Sequence, residues 1–295
     1  MKKRSKTCTG ILWMLAAQAI FVSTWTVVKY VGREIPVFEI AFFRAVFSLV
    51  VLIPLTHMRL KTFKGRNLSI LFLRALFGTI GMISAFYAMI NMNLGDAVTL
   101  FNTMPILVAL LAPAFLGEAF SKKQFFIIII AFIGIALIIQ PGKEMLDTTS
   151  LIALLSAFAA ALAMLCMRKL GSSDSPYIIT LYFTIFTAVV SAPMAFHTYI
   201  PPTPSQWGWL IFIGVVITFA QLFMAKAYKC GKASNIAAFS YASVVGAYFT
   251  ALIFFSEIPD FISIIGAIII VVAGAGITLI SPQKTPPGST PAART

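Results

Sequence analysis

The sequence predicts an all-α polytopic membrane protein with ten transmembrane helices, arranged as two inverted five-helix repeats. Three observations carry that expectation. The 295 residues are 60% hydrophobic and only 11% charged, whereas soluble domains hold about 25% charged residues. Apolar runs of about 20 residues, the length that crosses a bilayer, recur between short polar breaks. Basic residues collect in alternate breaks, and the chain resembles itself when shifted by 139 positions.

The first apolar run follows MKKRSKTCTG and ends in WTVVKYVGRE, with no small-residue cleavage motif. It therefore reads as a retained span over 11–31 rather than a signal peptide, with 1–10 as a cytoplasmic N-terminus. The second span, 37–56, contains FEIAFFRAVFSLVVLIPL and places Arg44 about 10 Å deep at 1.5 Å per residue. The third covers 68–90. The fourth, 96–117, holds Pro105 near its middle and Pro113 later; each removes a backbone donor and tends to kink the helix. The fifth, 124–140, is the shortest and closes a first repeat of 11–140. The second repeat, 149–281, holds spans at 149–168, 176–196, 207–228, 233–256 and 261–281, with Trp207 and Trp209 placed as interfacial anchors. The tail PQKTPPGSTPAART, 282–295, has the composition of a disordered cytoplasmic segment. All spans should be helical, because an open sheet cannot satisfy its backbone in lipid.

Charge fixes the expected orientation. About 16 cations lie in the N-terminus, the even-numbered breaks and the tail, and only Arg33 and Lys143 lie in the others. The positive-inside rule then puts both termini in the cytoplasm. At the 139-residue shift Lys29 meets Arg168, Gly32 meets Gly171, Pro54 meets Pro193, Ala88 meets Ala227 and Glu118 meets Glu257. Five helices per repeat is an odd number, so the second copy enters the membrane from the opposite face. That is the plan of secondary transporters, whose site lies near the midplane between the halves.

Several segments resemble the EamA branch of the drug/metabolite transporter superfamily. They are FEIAFFRAVFSLV in the second span, FYAMINMNLGDAVTLFNTMPILVALLAPAFLGEAF across the third and fourth, and MAKAYKCGKASNIAAFSYASVVGAYFTALIFFSEIP in the second half. The first repeat has a mid-helix proline and ends in LGE; the second ends in FSE, with Val244 where the first has Pro105. The resemblance implies a central cavity lined by the first, third, fourth, sixth, eighth and ninth spans. It implies transport of a small polar metabolite, and leaves open amino acids, nucleosides, vitamins, amines and adenosyl compounds.

Intramembrane polar residues are costly and should face the bundle or a cavity. Helical spacing selects Gln18 and Trp25 in the first span, Tyr87 in the third, Asn102 and Thr103 in the fourth, Gln221 in the eighth, and Tyr241 and Tyr248 in the ninth. Thr99, Thr218 and Ser84 are better explained by bonds to their own helices or as helix–helix glue. A central arginine costs about 2.5–3.5 kcal/mol unless paired. Asp96 is the expected partner of Arg44 in an ion pair or gate, with Glu118 as the expected partner of Arg74. Lys29 and Lys226 should snorkel to the interface.

Other chemistry is absent from the pattern. Cys8, Cys166 and Cys230 have no metal-ligand spacing, and His57 and His197 stand alone. No nucleotide-binding P-loop, H-E-x-x-H or G-x-S-x-G motif occurs, so neither enzyme activity nor a metal or cofactor is expected. The net charge of +13 follows from cytoplasmic loops rather than from nucleic-acid binding. The resulting expectation is a small-molecule carrier in the lipid bilayer of a bacterial inner membrane, with efflux ahead of uptake or exchange of S-adenosylmethionine, a vitamin or a nucleoside. Proton coupling would fall to Asp96 or Glu39. A channel, or a membrane scaffold subunit without transport, is the rival class.

Overall fold

The computed structural model describes residues 2–59, 63–116, 122–140, 148–170, 173–230 and 238–280. Glu118 and the tail from 281 onward lie outside them. The helices are α1 (Lys2–Val31), α2 (Val37–Arg59), α3 (Leu68–Asn91), α4 (Leu94–Phe101), α5 (Met104–Leu116), α6 (Lys122–Ile139), α7 (Thr148–Leu170), α8 (Pro176–His197) and α9 (Pro204–Cys230). A 3-10 turn (Ala238–Tyr241) then leads into α10 (Ala242–Phe255) and α11 (Phe261–Ile280). Eight stretches are long and apolar enough to cross a bilayer, with Leu94–Phe115 counted as one broken span. Phe239–Phe255 and Phe261–Gly276 are shorter apolar helices.

Burial runs opposite to that of a soluble domain. Thr24, Ser48, Thr56, Thr79, Thr99 and Ser243 are buried, while Phe125, Phe126, Ile129, Ile130, Phe132 and Ile133 of α6 face outward. Lipid accepts the apolar face, and a buried hydroxyl can bond only inside the bundle; Thr56 Oγ1 finds no partner there among the described residues. Thr24, Thr99 and Ser156 donate to their own helix backbone, as the sequence reading expected of Thr99.

The 139-residue shift is built into the helix boundaries. Val37 and Pro176 both begin the second helix of a repeat, Asn91 and Cys230 both end the third, Leu116 and Phe255 both end the fourth, and Lys122 and Phe261 both begin the fifth. The packing has the same symmetry. The most extensive contacts are α3 on α7 and its mirror, α1 on α9, while α2 packs on its own equivalent, α8, and α6 on its equivalent, α11. Hydrogen bonds repeat too. Thr79 shares a 2.7 Å hydroxyl contact with Thr187. At the equivalent positions, Ser48 and Thr218 both donate to the Gly214 carbonyl, at 2.7 and 3.2 Å. Contacts within a repeat are weaker than those between repeats, so the two halves interleave rather than stand side by side.

The α6–α11 contact shows how tight this interleaving is. A Cβ at Gly266 would sit 2.7 Å from the Gly134 carbonyl oxygen, and one at Gly134 would sit 2.9 Å from the Gly266 carbonyl oxygen. Backbone therefore meets backbone there, in the manner of small-residue packing in membranes.

Gly134→Leu and Gly266→Leu should each destabilise the protein by about 1–3 kcal/mol through overpacking. The measure is the unfolding midpoint in detergent. Gly208, where an added Cβ meets nothing within 4 Å, serves as the control: Gly208→Ala should hold or raise the midpoint.

Candidate functional site

The fourth span breaks where Pro105 removes the amide that would have bonded the Phe101 carbonyl. Helix α4 ends at Phe101, Asn102 caps it, and Thr103 donates its amide to Leu100 (3.1 Å) before α5 begins. Pro105 then sits in the first turn of α5, where no amide donor is required. The ninth span is irregular at the equivalent place, although Val244 stands where Pro105 would be. Its 3-10 turn ends at Tyr241, the repeat equivalent of Asn102, and α10 follows.

The two breaks meet. Asn102 Nδ2 donates to the Val98 carbonyl (2.8 Å) and makes a longer contact with Ser243 Oγ (3.4 Å), which itself donates to the Ser240 carbonyl (2.8 Å). Thr103 Oγ1 donates to Leu100 (2.7 Å). Trp25 of α1 is buried against Phe101, with ring centroids 6.1 Å apart and edge-on, and stacks on Phe21 at 5.6 Å. Irregular backbone at membrane depth persists only where protein or a water-lined cavity surrounds it. In transporters such discontinuities mark the binding site. Ser243 escaped the sequence reading because the helical spacing that selected Tyr241 and Tyr248 passes over it.

The remaining selected residues surround or leave this centre. Gln18 is buried, donates to Met14 Sδ at 3.3 Å, and with Leu15, Val22, Ser23, Gly246 and Thr250 lines a cavity of about 310 Å³ between α1 and α10. Tyr248 donates to Asp96 Oδ1 at 2.6 Å. Tyr241 is buried, and its hydroxyl end fills the space a side chain at Gly274 would need. Gln221 is half-buried on α9, alongside α1. Tyr87 is 37% exposed on the outer side of α3 and does not join the others.

The ion pairing differs from expectation. Asp96 is engaged by Tyr248, not by Arg44. Arg44 instead contacts Met82 Sδ and lies over the rings of Phe86 and Phe183. The physical reason is rotational: Asp96 faces α10, whereas Arg44 faces α3 and α8. Arg74 lies over Phe183, and its expected partner Glu118 is outside the described residues. Lys29, expected to snorkel, is buried and forms the one salt bridge among the described residues, with Glu257. Lys29 Nζ also donates to the Met92 carbonyl (2.6 Å), and the Leu94 amide donates to Glu257 Oε2 (3.0 Å). Ser256, in the left-handed region at φ 55°, turns the chain after α10 and delivers Glu257 to this point. These bonds tie α1, the α3–α4 connection and the end of α10 together at one end of the bundle. Gln206 to Glu34 (2.5 Å), the Ile200 amide to Glu39 (3.1 Å) and Gln140 to Asp260 (2.7 Å) add to the same end.

The opposite end has a lighter fastening. The Arg66 amide and the Ser173 hydroxyl both donate to Asp174, each at 2.7 Å. Desolvation works against its charge, but these bonds outweigh it and hold the carboxyl below its usual range.

The sequence profile described as "EamA-like transporter family" matches residues 8–140 and 148–280. The chain is 28% identical over 267 residues to the pseudopaline exporter CntI of Pseudomonas aeruginosa, covering 90% of this chain and 94% of that protein. It is 29% identical over 266 residues to the S-adenosylmethionine uptake transporter of Rickettsia felis, covering 90% of each. It is 28% identical over 297 residues to solute carrier family 35 member G1 of Mus musculus, covering 94% of this chain and 80% of that protein. A crystal structure aligns with a TM-score of 0.62 at 17% identity, over 94% of this chain and 98% of that one, which speaks to the fold alone.

Breaking the Lys29–Glu257 pair by Glu257→Gln or Lys29→Met should cost about 3 kcal/mol, because a buried charge is left unmatched. The double exchange Lys29→Glu with Glu257→Lys should recover part of the loss. A double-mutant cycle on unfolding midpoints reads both, and additive single effects would deny the coupling.

Proposed function

Because the chain belongs to the EamA-like transporter family, we propose that it carries a small polar organic metabolite, an amino acid or related compound, out across a bacterial cytoplasmic membrane by alternating access. The reading treats the chain as a carrier rather than an enzyme, with both termini in the cytoplasm, as the charge asymmetry requires. On that orientation the Lys29–Glu257 cluster lies at the outer mouth.

One observation carries the proposal most directly: the break in the fourth span meets the 3-10 turn that leads into α10, through Asn102 and Ser243, beside the buried Trp25. Interruption frees backbone carbonyls and amides to face a ligand, and the aromatic edge supplies an apolar wall. Gln18, Trp25, Asn102, Thr103, Gln221, Tyr241 and Tyr248 are proposed to line the path. Tyr87 has no such support, since its ring faces outward. The export direction follows the Pseudomonas relative, whose name states export. Uptake or exchange of an adenosyl metabolite is the second reading, and it is favoured by the equally similar Rickettsia uptake transporter.

Counterflow in reconstituted vesicles, screened over metabolite pools, tests carriage. Asn102→Ala and Ser243→Ala should each reduce counterflow by about tenfold, as expected for loss of about 1.4 kcal/mol of polar contact, with the unfolding midpoint retained. Full activity in both variants would remove the two breaks from the path.

Asp96 is proposed to carry the coupling proton, since it lies at the repeat interface with Tyr248 as its gate-side partner. Asp96→Asn should abolish transport driven by a pH gradient and leave exchange intact. Gradient dependence that survives the substitution would move the coupling elsewhere.

A further inference from the structure

We propose that Arg44 and Arg74 form an anion site at the centre of the bundle that receives a carboxylate of the transported molecule. The proposal rests on the reading of the chain as a metabolite carrier and deepens it by naming a substrate class. Arg44 is only 7% exposed. Its guanidinium carbon lies 5.9 Å from the Phe183 ring centroid, and that of Arg74 lies 4.7 Å from the same centroid. Arg44 Nε and Arg74 Nε and Nη1 are buried without a hydrogen-bond partner among the described residues. Two like charges thus share one aromatic spacer, with Arg44 Nη1 turned to Met82 Sδ and these three buried donors unspent.

The chain's own acids are committed elsewhere. Of nine acidic residues, six are described. Glu34 accepts from Gln206, Glu39 from the Ile200 amide, Asp96 from Tyr248, Asp174 from Arg66 and Ser173, and Asp260 from Gln140, while Glu257 pairs with Lys29. None is spent on either arginine. Glu118, Glu144 and Asp147 lie outside the described residues.

Position favours a ligand site over a structural one. Arg44 and Phe183 are repeat equivalents, 139 residues apart, and they touch across the α2–α8 contact. Residues that meet their own repeat mates lie on the pseudo-two-fold axis, which for inverted repeats runs through the bilayer midplane. Gly78 leaves room for the second cation, since Arg74 Nη1 occupies the space a side chain there would fill. The surrounding Met82, Phe86 and Phe183 donate nothing and the Cys166 thiol near Arg74 is a weak donor, so the only strong donors are the two planar forks. That suits the two-oxygen edge of a carboxylate and leaves a phosphate's further oxygens without donors.

Thermal unfolding of the purified full-length protein tests the assignment, with glutamate, glutarate, inorganic phosphate and uncharged glutaramide as probes at matched ionic strength. Glutamate or glutarate should raise the midpoint by about 3 °C at ten times its dissociation constant, and glutaramide should not. Arg44→Gln and Arg74→Gln should abolish the rise. Gly78→Ala, which keeps both charges but displaces Arg74, should reduce it. The wild-type comparison stands alone if an arginine variant fails to fold. A rise with phosphate only, or none with any anion, overturns the proposal. So does a rise that appears only in Glu118→Gln, since the counter-charge would then come from the chain itself. Counterflow of a neutral metabolite without any carboxylate response would sink the anion site and leave the carrier reading standing.

Discussion

Lipid gives a backbone amide no partner, and this single constraint organises the protein. Each span must satisfy its own hydrogen bonds by being helical, and any interruption must be enclosed by protein. The chain nevertheless interrupts the fourth span and sets the break against the 3-10 turn at the equivalent place in the second repeat, with Asn102 and Ser243 between them. The interruption is tolerable because α1, with Trp25 and Phe21, packs over it. Enclosure of the breaks and proximity to the repeat axis are thus one fact seen from two sides.

Much of this was legible in the residues. The span boundaries followed from hydropathy, and the 139-residue repeat appeared in scattered matches such as Pro54 with Pro193 before helices confirmed it. The break in the fourth span was announced by Pro105. The 3-10 turn at the equivalent place was not, because Val244 carries no such signal. Electrostatics was the least legible part. Lys29 sits at a helix end, the usual place for a cation that reaches toward water, but the turn at Ser256 brings Glu257 over it. Asp96 and Arg44 share a depth yet face different neighbours, and depth alone cannot reveal helix rotation. The equivalence of Lys29 with Arg168 and of Glu118 with Glu257 did hint that these positions belong together.

Charge is distributed by function as well as by topology. The described acids at the Lys29–Glu257 end of the bundle are engaged by amides, hydroxyl or amine donors close to helix ends. Arg44 and Arg74, by contrast, lie inside the bundle against sulfur and aromatic rings. A carrier needs its fastenings strong enough to close a mouth and weak enough to release it. A short polar cluster at the end of the bundle meets that need better than a buried apolar seam, because water can replace each of its bonds on opening.

The interleaved packing has a bearing on how the protein is made. At a synthesis rate of about 5–20 residues per second, the ribosome finishes α6 several seconds before α11 emerges. Within that interval α3 gains α7, and α1 gains α9, the helices against which they pack most, only as residues 148–170 and 204–230 are made. The early helices must wait in the bilayer, held by the translocon, by lipid or by a chaperone, with buried threonines and arginines unsheltered. Packing of the first half is therefore completed only as the second half is made, and truncated products should be conspicuous to membrane proteases.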